Sequence, residues 1–285
     1  MDKATAIEKG KNIKLFISDL DGTLLSTDKD LSKNTIRAFQ SLSERGIIAT
    51  ICTGRMITVS DFYAFELGVD VPVITANGSC IVDSKTQEVM WDAPMDKNAV
   101  TELLDYSRAN NIACCVFGSS GKYASTSQDR LDECKAYDEF SIRRGGKAMP
   151  QLFIGDDYSE VLSQRIYKSY VFPDASGSFD PVISFLESCD MLDYVRSDPQ
   201  IIDISPKGIT KGVGMINLCG LLGISAEQTC AAGDYDNDVS MLAAAGLSFC
   251  MENGTEAAKR AASLIISSND NDGVADAIYT YLLAD

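Results

Sequence analysis

The chain contains no histidine. Ser-His-Asp and Cys-His hydrolases, histidine phosphatases and His-ligated zinc sites are therefore excluded, and acid–base work falls to Asp, Glu, Lys, Tyr or Cys. The nine cysteines include no C-x-x-C pair, which leaves zinc ribbons and thioredoxin-like redox motifs unsupported. None has an arginine six residues downstream, so the nucleophilic-cysteine phosphatase loop is missing as well. Basic charge is scarce: 25 Lys and Arg face 41 Asp and Glu, a net charge of −16. Nucleic acid and anionic membrane both need a basic footprint, so neither is an expected partner. No apolar run approaches membrane-spanning length, and residues 1–14 are polar with no apolar h-region. Neither a membrane span nor a signal peptide is expected.

What is present describes an ordinary globular protein. At 285 residues the chain can bury a sizeable core, as one large or two medium domains. Cysteines such as Cys52, Cys219, Cys230 and Cys250 sit in apolar runs, and their total is odd. That usage suits reduced, buried thiols in a cytoplasmic protein.

The stretch from Ile13 to Leu24 organises the rest. Leu15, Phe16 and Ile17 leave no polar face, the mark of a buried strand. The run ends in Asp19 and Asp21, two residues apart, and Gly22 then lets the chain turn. Two like charges at the carboxyl end of a buried strand are costly unless a cation or a substrate needs them.

Further strands are predicted over residues 47–52 and 71–75, the latter ending at Asn77-Gly78, with intervening helices from Ser32 to about Arg45 and from Arg55 to about Leu67. Strand–helix alternation implies a parallel sheet with right-handed crossovers. From about residue 80 the rhythm becomes α+β, with a hairpin over 80–91, helices near 96–109, 127–140 and 179–188, and strands near 112–117, 164–172 and 191–196. Buried-strand character resumes at Ile201–Ser205, and alternation then continues to a terminal helix from about Asp272. The expected class is α/β, a Rossmann-like parallel-sheet core over residues 1–83 and 198–285 split by an inserted α+β domain over 84–197.

Four separated stretches deliver polar residues just after apolar strands: Asp19/Asp21, Thr53-Gly54-Arg55, Lys211, and Asp234/Asn237/Asp238. In an open α/β sheet they converge on one edge, where ligands bind. Carboxylates gathered there suit Mg²⁺, a hard ion that often bridges to phosphate. Without histidine, a carboxylate is the obvious nucleophile, and aspartyl-phosphate chemistry is an established use of one.

The set Asp19-Leu20-Asp21-Gly22-Thr23, Thr53-Gly54-Arg55, Asn77-Gly78, Lys211-Gly212 and Gly233-Asp234-x-x-Asn237-Asp238 resembles the haloacid dehalogenase superfamily of phosphatases. The large insertion between the second and third motifs is similar to the Cof-type group with a C2 cap, and Asn269–Val274 resembles that group's C-terminal "edGV" stretch. The resemblance implies that Asp19 is the nucleophile and that Asp21 protonates the leaving alkoxide and later deprotonates water. It implies Mg²⁺ held by Asp19, the Asp21 backbone carbonyl and Asp234, with Asp238 as ligand or just behind. Thr53, the Gly54 amide and Asn237 are implied to hold the phosphoryl group, with Lys211 offsetting charge, and Arg55, Asn77 and Gly78 are further candidates for substrate contact. The implied activity is a cytoplasmic phosphatase of small phosphorylated metabolites, the cap closing over the site. A phosphomutase on the same core, or a non-catalytic phosphate-binding regulator, is the alternative.

Single residues have plainer readings. Thr53 can simply cap a helix, Asn77-Gly78 is a turn signal, Lys211 can be a solvated lysine, and Asp234 and Asp238 can serve as turn and N-cap residues. Arg55 can pair with a surface acid, and Arg143-Arg144-Gly145-Gly146-Lys147, a basic cluster in an acidic chain, can be a solvated loop. Tyr235, and Met251-Glu252-Asn253-Gly254, depart from the family's commoner glycine and "NA" patterns.

Overall fold

A computed structural model describes residues 1–284 of the chain. Met1–Gly54, Tyr63–Trp91 and everything from Thr210 on form one compact unit; Arg55–Phe62 and Asp92–Ile209 form another.

The first unit is built on Leu15–Ser18, buried along its whole length. A strand without a polar face belongs at the centre of a sheet covered on both sides. It pairs in parallel with Ile48–Ile51 on one side and Thr229–Gly233 on the other, and Leu247–Met251 and Leu264–Ile266 extend the sheet to five strands. Alternate side chains face opposite layers. Phe16 meets Phe39 of the helix Lys33–Glu44 edge-on at 5.7 Å, while Leu15 and Ile17 pack with Met215 and Leu218 of the helix Lys211–Leu222. Each such buried side chain contributes roughly 1.5–3 kcal/mol. Both helices begin where the sequence puts a hydroxyl: Ser32 accepts from the Thr35 N–H and Thr210 from the Val213 N–H. A cap of this kind is worth about 1 kcal/mol.

Past Ile51, Cys52 bridges in parallel to Ile74, and Val73–Thr75 turns back antiparallel onto Cys80–Val82. The helix expected from Arg55 to Leu67 is instead a 3-10 turn, Ile57–Val59, followed by the short helix Asp61–Glu66. Residues 3–10, part of the polar stretch 1–14 to which the sequence assigns no element, form a helix capped by Asp2, with only Ala6 and Gly10 buried. Two small buried positions are too few for a visible 3.6-residue period.

The second unit is a six-stranded sheet in the order Leu192–Asp198, Ile201–Pro206, Ile166–Val171, Cys114–Gly118, Tyr123–Ser125, Gln151–Phe153. Every pairing is antiparallel except the last. Val100, Leu103 and Leu104 of the helix Lys97–Ala109 and Val182 and Leu186 of Asp180–Glu187 pack with Cys114, Val116, Ile202 and Ile204 in its core.

The strand Ile201–Pro206 corrects the sequence reading, which gave it to the parallel core. Its partners are Leu192–Asp198 and Ile166–Val171. Ile202 and Ile204 face the second unit's core, while Asp203 between them pairs with Lys168 at 2.8 Å. That is the period-2 alternation of an antiparallel strand rather than the unbroken apolar run of a parallel one. The division therefore falls at Asp92 and Ile209, later than residues 84 and 197. Tyr123–Ser125 and Gln151–Phe153, three residues each, are too short to leave a pattern in the sequence.

Candidate active site

Asp19 directly follows the strand Leu15–Ser18, and its N–H donates to the Ala232 carbonyl at 3.0 Å, which extends the ladder by one residue. Its side chain is buried beside the side chains of Asp234 and Asp238. One carboxylate oxygen from each lies within 4.8 Å of the others. Lys211, the first residue of its helix, has no exposed surface; its Nζ lies 2.9 Å from Asp19 Oδ1 and 2.6 Å from Asp238 Oδ1. Burial works to lower the pKa of this ammonium, and a helix N-terminus also disfavours a cation. Asp19 and Asp238 outweigh both and hold it above the ordinary lysine range.

Asp238 is held by three contacts within the protein. Besides Lys211, it accepts at Oδ2 from the backbone N–H groups of Asp234 (2.9 Å) and Tyr235 (3.1 Å). Burial raises the Asp19 carboxyl well above its usual range; Lys211 opposes this, while Asp238, Asp234 and Asp21 reinforce it. Burial and then Asp238 push Asp234 up to about 7, against the hydrogen bond its Oδ1 accepts from the Thr23 hydroxyl at 2.8 Å. Three carboxylates share one ammonium. With all of them ionised the cluster carries two uncompensated negative charges, a repulsion that adds to burial in raising Asp19 and Asp234.

The turn after Asp21 is shaped to admit Asp234. Gly22 has φ +75°, and a Cβ there would lie 2.4 Å from Asp234 Oδ2. The Asn253 amide donates to the Gly22 carbonyl at 2.9 Å, and the Thr255 N–H to the Asp234 carbonyl at 2.8 Å. Asn253 and Thr255 thus tie one loop to both the first and the last motif. Asn269–Val274 clasps the next turn: Asn269 donates to the Leu25 carbonyl, and Asp270 accepts from the N–H and hydroxyl of Thr27.

Asp21 is partly exposed, lies outside the three-acid cluster, and accepts from Lys29 Nζ at 2.9 Å. Thr53 is buried; its N–H donates to the Ile74 carbonyl and its carbonyl accepts from the Asn77 N–H. Asn77 Oδ1 accepts from Asn237 Nδ2 at 3.1 Å. Gly78 seats the turn against the Lys211 helix, since a Cβ there would lie 2.1 Å from the Thr210 carbonyl oxygen. The site residues Asp19, Asp21, Thr53, Gly54, Asn77, Gly78, Lys211, Asp234, Asn237 and Asp238 all belong to the first unit. Arg55 belongs to the second, where it donates to the Tyr137 hydroxyl with its guanidinium 5.3 Å from that ring. Arg143 ends the helix Gln128–Arg143, and Arg144 lies 4.3 Å over the Phe140 ring.

The sequence reading passed over Thr23 and Asn253 as site residues. Thr23 stood inside the quoted motif, and only its contact with Asp234, 211 positions away, gives it a role. Cysteine chemistry is disfavoured at this edge: burial raises the thiols of Cys52 and Cys230 and pushes Cys250 up to about 12, so none is a ready thiolate.

A family model described as haloacid dehalogenase-like hydrolase matches residues 16–278. The chain belongs to this family of hydrolases, in the Cof-type group whose named members include phosphatases. It is 29% identical over 279 residues to the 5-amino-6-(5-phospho-D-ribitylamino)uracil phosphatase YitU of Bacillus subtilis, covering 94% of this chain and 97% of that protein. It is 26% identical over 300 residues to the chloroplastic endoribonuclease YBEY of Arabidopsis thaliana; that match takes in 98% of this chain, which spans about half the length of that relative. Its fold matches that of a subclass IIB sugar phosphatase of the superfamily with a TM-score of 0.79 at 22% identity, over 95% of this chain and 100% of the other. No helix among the described residues is long and apolar enough to cross a membrane.

Proposed function

We propose that this protein is a Mg²⁺-dependent phosphatase of small phosphorylated metabolites, working through an aspartyl-phosphate on Asp19. The observation that carries the reading is the buried cluster of Asp19, Asp234 and Asp238 with a single ammonium, Lys211, among them. Such an all-oxygen donor set with excess negative charge fits a hard divalent ion. Asp19, Asp234 and the Asp21 backbone carbonyl would hold it; Asp238, already engaged by Lys211 and two backbone N–H groups, fixes the others from behind. When bound, the ion supplies the charge compensation that lets an anionic carboxylate meet an anionic phosphoryl group.

The chain's own groups do the rest. An Asp19 carboxylate oxygen bonds to phosphorus as the bond from phosphorus to the ester oxygen breaks, and the departing alkoxide takes a proton from the Asp21 carboxyl. Water then attacks the aspartyl-phosphate and gives its proton to Asp21, which restores both carboxyl groups and frees phosphate. Lys211 stays charged throughout and offsets Asp19 and the transferring group. The Thr53 hydroxyl and the Gly54 amide bind phosphoryl oxygens.

The substrate named for the Bacillus subtilis relative supports a small phosphorylated metabolite; sugar phosphates, flavin mononucleotide and pyridoxal phosphate are the classes to test. The chain's net charge of −16 speaks against nucleic acid as a partner. Nine cysteines, all free, support a reducing, cytoplasmic setting. The test is release of inorganic phosphate from an aryl phosphate and from that panel, with and without Mg²⁺. Release that requires Mg²⁺ and is lost in Asp19→Asn is expected; full activity of Asp19→Asn refutes the nucleophile.

A further inference from the structure

Asn77 occupies an unusual piece of backbone. Ala76 (φ +51°), Asn77 (φ +55°) and Gly78 (φ +96°) lie consecutively in the left-handed region. Two non-glycine residues there cost on the order of 1–3 kcal/mol each unless surrounding structure enforces the conformation, and such strain gathers at functional sites. Two contacts enforce it here. The Asn77 N–H is tied to the Thr53 carbonyl, and Gly78 is wedged against the Thr210 carbonyl, so the turn joins the second motif to the third. The Asn77 side chain, 3% exposed, then reaches the fourth motif by accepting from Asn237 Nδ2.

That hydrogen bond decides which end of the Asn237 amide is spent. Its N–H end is turned onto Asn77, and its Oδ1 is buried with no hydrogen-bond partner among the described residues. A buried acceptor left unpaired costs about 1–3 kcal/mol. It suits a ligand that brings a proton donor, such as a water or a hydroxyl, and it is mismatched to an ionised phosphoryl oxygen, which can only accept.

We infer that Asn77 is a positioning residue for the reaction, fixing the Asn237 amide so that its oxygen rather than its nitrogen meets the ligand. Asn77 itself then touches no phosphate. This rests on the phosphatase reading and deepens it, since it assigns to Asn237 an acceptor role toward a donor-bearing ligand.

The test is a double-mutant cycle of Asn77→Gly and Asn237→Ala on steady-state phosphate release, with the thermal midpoint read for the same four proteins. Glycine accepts a left-handed backbone, so Asn77→Gly removes the side chain and leaves the turn. Asn77→Gly alone is expected to raise KM roughly tenfold with kcat changed less than about twofold, the pattern of a lost ground-state contact. In the Asn237→Ala background the same change is expected to raise KM by less than about twofold, because the group it positions is gone. Equal losses in both backgrounds overturn the proposal. If the wild-type protein releases no phosphate from any substrate, the phosphatase reading fails instead. The thermal midpoints still decide then: additive shifts mean that the two side chains are uncoupled, and the inference falls with them.

Discussion

The Lys211 ammonium lies 2.6 Å from Asp238 Oδ1, and neither side chain has any exposed surface. A wholly buried pair is a poor device for stability, because desolvation consumes most of the attraction, but removing one partner leaves an uncompensated charge inside the protein. Lys211→Ala strands Asp238 and also Asp19. We expect a loss of about 3–5 kcal/mol in the free energy of unfolding, measured by urea denaturation, together with loss of phosphate release. A variant as stable as the wild type contradicts the pairing.

Gly22→Ala tests the approach of the first motif to the last. The new methyl falls on Asp234 Oδ2, and the backbone is in the left-handed region. We expect about 1–3 kcal/mol of destabilisation from the backbone alone, and weaker Mg²⁺ binding by calorimetry as Asp234 is displaced.

The metal-free protein has a predictable pH dependence. The Asp234 carboxyl, ordinarily near 3.8, is raised to about 7 by burial and by Asp238. A carboxyl raised in the folded state binds its proton more tightly there than in the unfolded chain, so stability falls as pH rises between those values. In chelator, the thermal midpoint is expected to drop from about pH 4 to about pH 7 on account of this group. Saturating Mg²⁺, which on the proposed function takes the place of the proton, is expected to flatten the profile. A metal-free protein that gains stability through that window, with no change on adding Mg²⁺, contradicts the charge assignment.

In the second unit, Lys168 and Asp203 form a 2.8 Å pair with side chains only 10% and 2% exposed. Asp203→Asn leaves the ammonium without its counter-charge, and we expect a loss of about 3–5 kcal/mol. Combining it with Lys168→Met removes both charges and is expected to recover much of that loss, as read from denaturation midpoints.

Much of the fold of this protein was legible in its sequence because it depends on local order. The apolar run before Asp19 and the hydroxyls Ser32 and Thr210 ahead of their helices are properties of neighbouring residues, and they suffice for the parallel sheet and for the acids that follow its strand Leu15–Ser18. Tertiary structure alone decided which side chains meet. It put Asp238 with Lys211 and Asp234 with Thr23, left Asp21 outside the buried acids, joined Asn77 to Asn237 across 160 positions, and turned Ile201–Pro206 into the antiparallel sheet. Spacing along a chain records periodicities of two and 3.6 residues, and these say which face a residue occupies. They do not record the partner across the gap. For a buried charge the partner sets both the energy and the protonation state, so the electrostatics of this site came into existence only when distant strands closed on one another.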